Sequence, residues 1–241
     1  IGTMMSGRHR PVAIDIPCDI LDATGPRTDV PRWESPELSC DADDVARVAE
    51  TLSRAERPLI WAGGGVVRSG GFEGLARLAE ALDAPVFSTV LAKGALPADH
   101  PLSAGEGIQH PAAALMRSSC DVMLAVGTGF GQLETVSWKM LKPPTLIQVD
   151  IDPESIGRNY EADDSIVGDA ANVLEQLAHA VSPRVGERAA EVAAMRADLR
   201  RQCHQRCPEV VGLLDAVRAG TPRETVFVND LTVAVYWGRY L

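Results

Sequence analysis

Five mostly apolar runs fail to alternate with polar residues: residues 58–62 (PLIWA), 85–88 (PVFS), 121–126 (DVMLAV), 145–150 (TLIQVD) and 165–167 (SIV). A strand with one wet face alternates. A continuous apolar run is buried on both faces, the situation of a strand in a parallel sheet with helices on either side. Between the runs, apolar residues recur at helical spacing. Val45, Val48, Ala49 and Leu52 form one such face, Phe72, Leu75, Leu78, Ala79 and Leu82 a second, and Val173, Leu174, Leu177 and Val181 a third. Residues 110–118 read as a further helix. Asp41 is placed as an N-cap, with Asp43 and Asp44 at the positive end of the helix dipole. Strands alternating with helices define an α/β fold: a doubly wound, mostly parallel sheet flanked by helices, Rossmann-like, over residues 41–182.

The flanks read differently. Residues 11–17 (PVAIDIP) look like a short buried strand closed by proline. Residues 18–40 contain Pro26, Pro31 and Pro36 and read as an extended linker. Residues 184–205 are dense in Arg, Glu and Ala, which predicts a solvated helix. Pro208 opens another, with Val210, Val211, Leu214 and Val217 on its apolar side. Residues 224–229 (ETVFVN) read as a strand, followed by a turn and a helix start. Neither end strand has a partner nearby in the chain. The expected organisation is therefore the end of one domain (residues 1–21), a linker (22–40), the central domain (41–182), a linker helix (183–207) and the start of another domain (208–241), as in a piece of a longer protein.

Charge and composition exclude several functions. The net charge is -10 and the pI about 5.0, so the clustered Lys and Arg that nucleic acid requires are not expected. No apolar run approaches the roughly 20 residues of a membrane span, and residues 1–10 lack the apolar core of a signal peptide. Five cysteines, odd in number and widely spaced, do not make a secreted disulfide framework; a reducing cytoplasm fits. Cys203, His204 and Cys207 have no second ligand pair at zinc spacing, so no metal site is expected. The sequence contains no nucleophile elbow, no metal-binding histidine pair and no Walker loop, and its histidines are scattered; no catalytic residue is assigned.

Three places suit a ligand. Gly63, Gly64 and Gly65 follow a strand and precede a helix, where glycines let backbone N–H groups approach a phosphate; a tight turn explains them equally well. Asp150, Ile151 and Asp152 end a strand, on the side of the sheet where open α/β folds bind ligands, and a carboxylate there can accept from a ribose. Asp152 is as well placed to cap the turn at Pro153. Gly168 and Asp169 precede the last helix of the unit, where Asp169 suits capping better than ligand binding.

The order of these segments resembles that of thiamine-diphosphate-dependent enzymes of the acetolactate synthase and 2-oxo acid decarboxylase type. Residues 11–17 are similar to the closing strand of that family's pyrimidine-binding domain. Residues 58–65 resemble the segment that opens its central domain. Lys93-Gly94 with Pro97, His100-Pro101 and Gly105 looks like another family stretch, as do residues 121–127, 148–159 and Gly168-Asp169. Residues 224–237 resemble the first strand of the diphosphate-binding domain. The resemblance implies an enzyme that binds thiamine diphosphate and Mg²⁺ between domains of different subunits of a homo-dimer or tetramer, and that acts on a small 2-oxo acid. It implies that the activating glutamate and the metal motif lie outside these residues. In the family's central domain the nucleotide-contacting segments match Gly63, Gly64, Gly65, Asp150, Ile151, Gly168 and Asp169, and the ligand there is FAD, ADP or nothing. Flavin-binding relatives carry an Arg-Phe-Asp stretch where this chain has Gly129-Phe130-Gly131, a departure that counts against FAD. Two other readings remain: a free-standing nucleotide-binding module, as in electron-transfer flavoproteins or sirtuin-like folds, and a purely structural domain.

Overall fold

The computed structural model describes residues 2–32, 39–228 and 230–240; Pro36 of the expected linker and Asn229 of the expected last strand lie outside them. Six strands form one parallel sheet: β1 (Leu59–Ala62), β2 (Val86–Ser88), β3 (Ser103–Gly105), β4 (Val122–Val126), β5 (Thr145–Asp150) and β6 (Asp164–Val167), in the order β3-β2-β1-β4-β5-β6. This is the doubly wound order of dinucleotide-binding folds. The helices are α1 (Gly2–Met5), α2 (Cys18–Leu21), α3 (Ala42–Arg54), α4 (Gly64–Ser69), α5 (Phe72–Leu82), α6 (Ala114–Ser118), α7 (Ala170–Ala180), α8 (Arg188–Arg206), α9 (Pro208–Ala219) and α10 (Val233–Gly238).

Alternate strand residues feed two cores, as the two-residue period of a strand requires. Ile60, Ala62, Leu124, Val126, Ile147 and Val149 face α3, α5 and α7. Leu59, Trp61, Phe87, Met123, Ala125 and Leu146 face the opposite layer, which contains Met116 of α6 and Val192 and Met195 of α8. Covering on both faces is the reason the runs are continuously apolar. The expected helix face of α3 is buried at Val45, Val48, Ala49 and Leu52, and Asp41 caps it by accepting from Asp43 N at 2.9 Å. On α5 the face holds without Phe72, which is exposed.

Several expectations are corrected. Residues 11–17 and 224–228 form no strands; Glu224 sits in a turn, and the apolar residues of both segments are exposed, with Ile14 and Val226 more than 75% exposed. Alternating apolar residues favour extended backbone, but a strand needs a paired edge, and neither edge strand of this sheet, β3 or β6, accepts them. Nor is α8 a fully solvated helix: Val192, Met195, Leu199 and Cys203 make a buried stripe at spacings of three and four. The dense arginines hid that stripe. Four elements, α1, α2, β3 and α4, were not anticipated: α2 is a single turn inside residues 18–40, which read as an extended linker, β3 is three small residues at an edge, and α4 begins inside the glycine run.

Candidate functional site

In this strand order the chain leaves β1 towards β2 and leaves β4 towards β5, so the loops that follow β1 and β4 diverge. The crevice between them, beyond the carboxyl ends of the strands, is where such sheets bind ligands. A cavity of about 470 Å³ lies there, within the usual size range of small-molecule sites. Gly64, Gly65, Asp150, Ile151 and Asp169 line it; Gly63 and Gly168 flank it without lining it.

The glycines are explained by loop packing. A Cβ on Gly63 would sit 2.3 Å from Gly127 O, and one on Gly65 would sit 2.6 Å from Gly127 Cα. The N–H groups of Gly63, Gly65 and Gly168 are already donated, to Val126 O at 2.8 Å, Gly127 O at 3.0 Å and Asp150 O at 3.0 Å. These three amides are therefore engaged, and of the two readings of the glycine run the tight turn accounts for Gly63 and Gly65. At Gly64 an added Cβ meets only the Leu91 side chain at 3.1 Å and backbone nowhere closer than 3.7 Å.

The acids divide by role. Asp169 caps α7, accepting from Ala171 N at 3.0 Å and Asn172 N at 3.3 Å. Asp152 caps the turn Pro153–Ser155 by accepting from Glu154 N at 3.1 Å. Asp150 is only 2% exposed and faces the cavity. Its Oδ1 accepts from Asp152 N at 3.0 Å and from Arg8 Nε at 3.1 Å, and its Oδ2 accepts from Arg8 Nη2. The hydrogen bond to Asp150 holds the Arg8 guanidinium above its ordinary pKa, against burial, which lowers it.

Arg8 lines the same cavity, and sequence reasoning missed it. Its partner is 142 residues away, and nothing local marks it. A basic group thus does stand beside Gly129: a Cβ there would lie 3.0 Å from Arg8 Nη1. Arg68 of α4 also lines the cavity and has no ion-pair partner among the described residues.

The cavity walls are held by Gln148, a buried amide inside the apolar run of β5. Its Nε2 donates to Thr128 O at 3.3 Å and Ser155 O at 3.1 Å, and its Oε1 accepts from Gly157 N at 2.9 Å. One side chain thereby fixes the loops after β4 and β5. Beyond Thr89 and Glu134 lies a second, small cavity. There Glu106 is buried against Arg239, and burial pushes its carboxyl above the usual range, opposed chiefly by Arg239. Among the described residues no group of three or more His, Cys, Asp or Glu could hold a metal, and no helix is long and apolar enough to cross a membrane.

Fold and cleft together define the class, a doubly wound α/β domain with a nucleotide-sized crevice at its switch point. Residues 45–177 match the family described as thiamine pyrophosphate enzyme, central domain, and the chain belongs to that family. It is 39% identical over 183 residues to the "Probable acetolactate synthase large subunit" of Methanocaldococcus jannaschii, a match covering 71% of this chain and 31% of that protein. It is 34% identical over 249 residues to the "Probable 2-ketoarginine decarboxylase AruI" of Pseudomonas aeruginosa, covering 98% of this chain and 43% of that one. Among solved structures, a protein of Mycobacterium smegmatis assigned as a thiamin diphosphate-dependent enzyme superposes with a TM-score of 0.62 at 26% identity, covering 76% of this chain and 36% of the other. The chain thus spans less than half the length of these relatives.

Proposed function

We propose that this chain supplies the central, nucleotide-holding domain of a thiamine-diphosphate- and Mg²⁺-dependent enzyme that acts on 2-oxo acids, by acetolactate synthase-like carboligation or by decarboxylation, as a homo-dimer or tetramer in the cytoplasm. Residues 41–182 are the central domain, with 1–21, 22–40, 183–207 and 208–241 as the flanking units. The similarity to an acetolactate synthase subunit and to a decarboxylase supports both chemistries equally. The thiamine cofactor, when bound, supplies the electron sink for that chemistry; no residue assigned here takes part in it.

The observation that carries the central role is the cavity of about 470 Å³ with the buried Asp150 carboxylate in its wall. Asp150 accepts ribose hydroxyls, and Ile151 gives an apolar surface to the base. Gly64 leaves the backbone open, while Gly63, Gly65 and Gly168 keep the loops close enough to form the walls. Asp169 orders the rim. The absence of the Arg-Phe-Asp stretch, where this chain has Gly129-Phe130-Gly131, favours ADP over FAD. Phosphates need cations, and Arg8 and Arg68 line the same cavity.

Thermal melting with and without nucleotide tests this reading. At a hundred times its Kd, ADP stabilises the native state by about 2.7 kcal/mol, so Tm rises clearly with ADP, and the purified chain is colourless. A flavin absorbance band near stoichiometric intensity contradicts the preference for ADP. A second reading, a structural domain with an empty cleft, draws on the Arg8–Asp150 pair, which already neutralises the acceptor; its outcome is a Tm unchanged by either nucleotide.

A further inference from the structure

Two alternate residues of the N-terminal segment pair with the last residue of β5 and the second residue beyond it. Arg8 is bidentate on Asp150, and Arg10 Nη2 lies 2.8 Å from Asp152 Oδ2. The two pairs differ in setting. Asp152 and Arg10 sit at the rim, with the Arg10 side chain 57% exposed. Asp150 is buried, and Gly7, Arg8 and His9 form part of the cavity wall. Residues 9–32 are exposed throughout, so the segment is tied here chiefly by these charges. The bare Cα of Gly129 leaves room for the Arg8 guanidinium beside it.

The arrangement sets a condition on any ligand that uses Asp150. A ribose hydroxyl that takes this carboxylate replaces a two-pronged ion pair with hydrogen bonds from an uncharged donor, and so gives up the attraction between the two charges. It also leaves a guanidinium without its counter-charge in a partly enclosed cleft, an expensive outcome. A ligand that brings its own anion removes that cost, because Arg8 turns from Asp150 to the phosphate. Building on the nucleotide reading above, we propose that the Arg8–Asp150 pair is a specificity device that makes the cleft accept a phosphorylated nucleotide and reject the bare nucleoside. Arg8 acts as an internal competitor for the ribose acceptor, and only a phosphate displaces it.

Calorimetric titration of the full chain with ADP and with adenosine tests this, using wild type, Arg8→Ala and Arg10→Ala. Removing Arg8 takes the counter-charge from Asp150, whose Oδ1 keeps the Asp152 amide, so the fold of each variant is checked by its thermal melt before titration. Wild type prefers ADP by about tenfold or more, the scale of one charge-assisted contact. In Arg8→Ala the preference collapses from both sides: adenosine binds more tightly and ADP more weakly. Arg10→Ala keeps the wild-type ratio, since its pair lies at the rim. ADP binding in Arg8→Ala with an unchanged ADP-to-adenosine ratio overturns the proposal and leaves the nucleotide reading standing. Absence of binding by ADP and adenosine to all three proteins overturns both.

Discussion

Gly65 and Gly127 pack backbone to backbone: Gly65 N donates to Gly127 O at 3.0 Å, and a Cβ added to either would lie 2.6 Å from the other's Cα. Gly127 also has φ +62°, the left-handed region that costs other residues about 1–2 kcal/mol. Gly127→Ala is therefore expected to destabilise the fold by more than about 2 kcal/mol, strain and overpacking together. Gly64→Ala meets only the Leu91 side chain at close range and should cost about 1 kcal/mol or less. Urea melts of the two variants check the contrast; equal losses would mean that the glycine run is not shaped by this contact.

Gln148 provides a second test. Gln148→Leu keeps the volume but strands the carbonyls of the buried Thr128 and Ser155 and takes the acceptor from Gly157 N. The expected loss is about 2–3 kcal/mol, the cost of leaving buried polar groups unpaired. Hydrogen exchange at Gly157 should accelerate beyond what the global loss explains. A neutral effect on both readings would show that water replaces the amide without penalty.

Much of this architecture was legible because burial writes itself into periodicity. The runs of β1, β2, β4, β5 and β6 and the helical faces of α3, α5 and α7 follow directly from which sides are covered. What was not legible depends on contacts between distant residues. Gln148 is one polar residue in an apolar run that nothing local singles out, and its three partners lie on two loops. Arg8 is one arginine among many until Asp150 is brought beside it. Residues 11–17 have the composition of a strand, yet composition cannot supply the neighbour that a strand requires. The glycines were recognised as special, but their reason, a loop-to-loop contact with Gly127, is invisible along the chain.

Arg184 caps α3 from outside the helix. Its guanidinium donates to Ala55 O, to Leu52 O at 3.2 Å and to Ser53 O at 3.0 Å, carbonyls at a helix C-terminus that otherwise lack partners. Its own N–H donates to Ala81 O at 2.9 Å, which joins α3 to the end of α5. Arg184→Ala should lower stability by about 1–2 kcal/mol, whereas Arg54→Ala, whose exposed ion pair with Glu50 lies within one helix, should change it by less than about 0.5 kcal/mol. Thermal melts that show the reverse order would refute the capping role.

Cys120 is buried, and burial, aided by Asp121 nearby and opposed by Arg188, pushes its thiol up to about 12. An unfolded thiol titrates near ~8.5. The folded state therefore keeps its proton where the unfolded state loses it. This group's contribution to stability is intact below the unfolded pKa and is lost as pH rises towards about 12. At pH 8, iodoacetamide should alkylate exposed Cys18 quickly and leave Cys120 intact until the protein is denatured. Equal labelling rates at the two sites in the native protein would contradict this burial.

The central claim is that the crevice between the loops after β1 and β4 is a nucleotide site. Amide chemical shifts of the ¹⁵N-labelled chain, followed while ADP is added, test it most directly. The account predicts saturable shifts confined to the cavity wall, at Gly64, Gly65, Thr128, Asp150 and Ile151 and at Arg8, with amides of α9 such as Leu213 unmoved. Unchanged spectra at millimolar ADP, or saturable shifts centred away from the carboxyl ends of β1, β4 and β5, would contradict it.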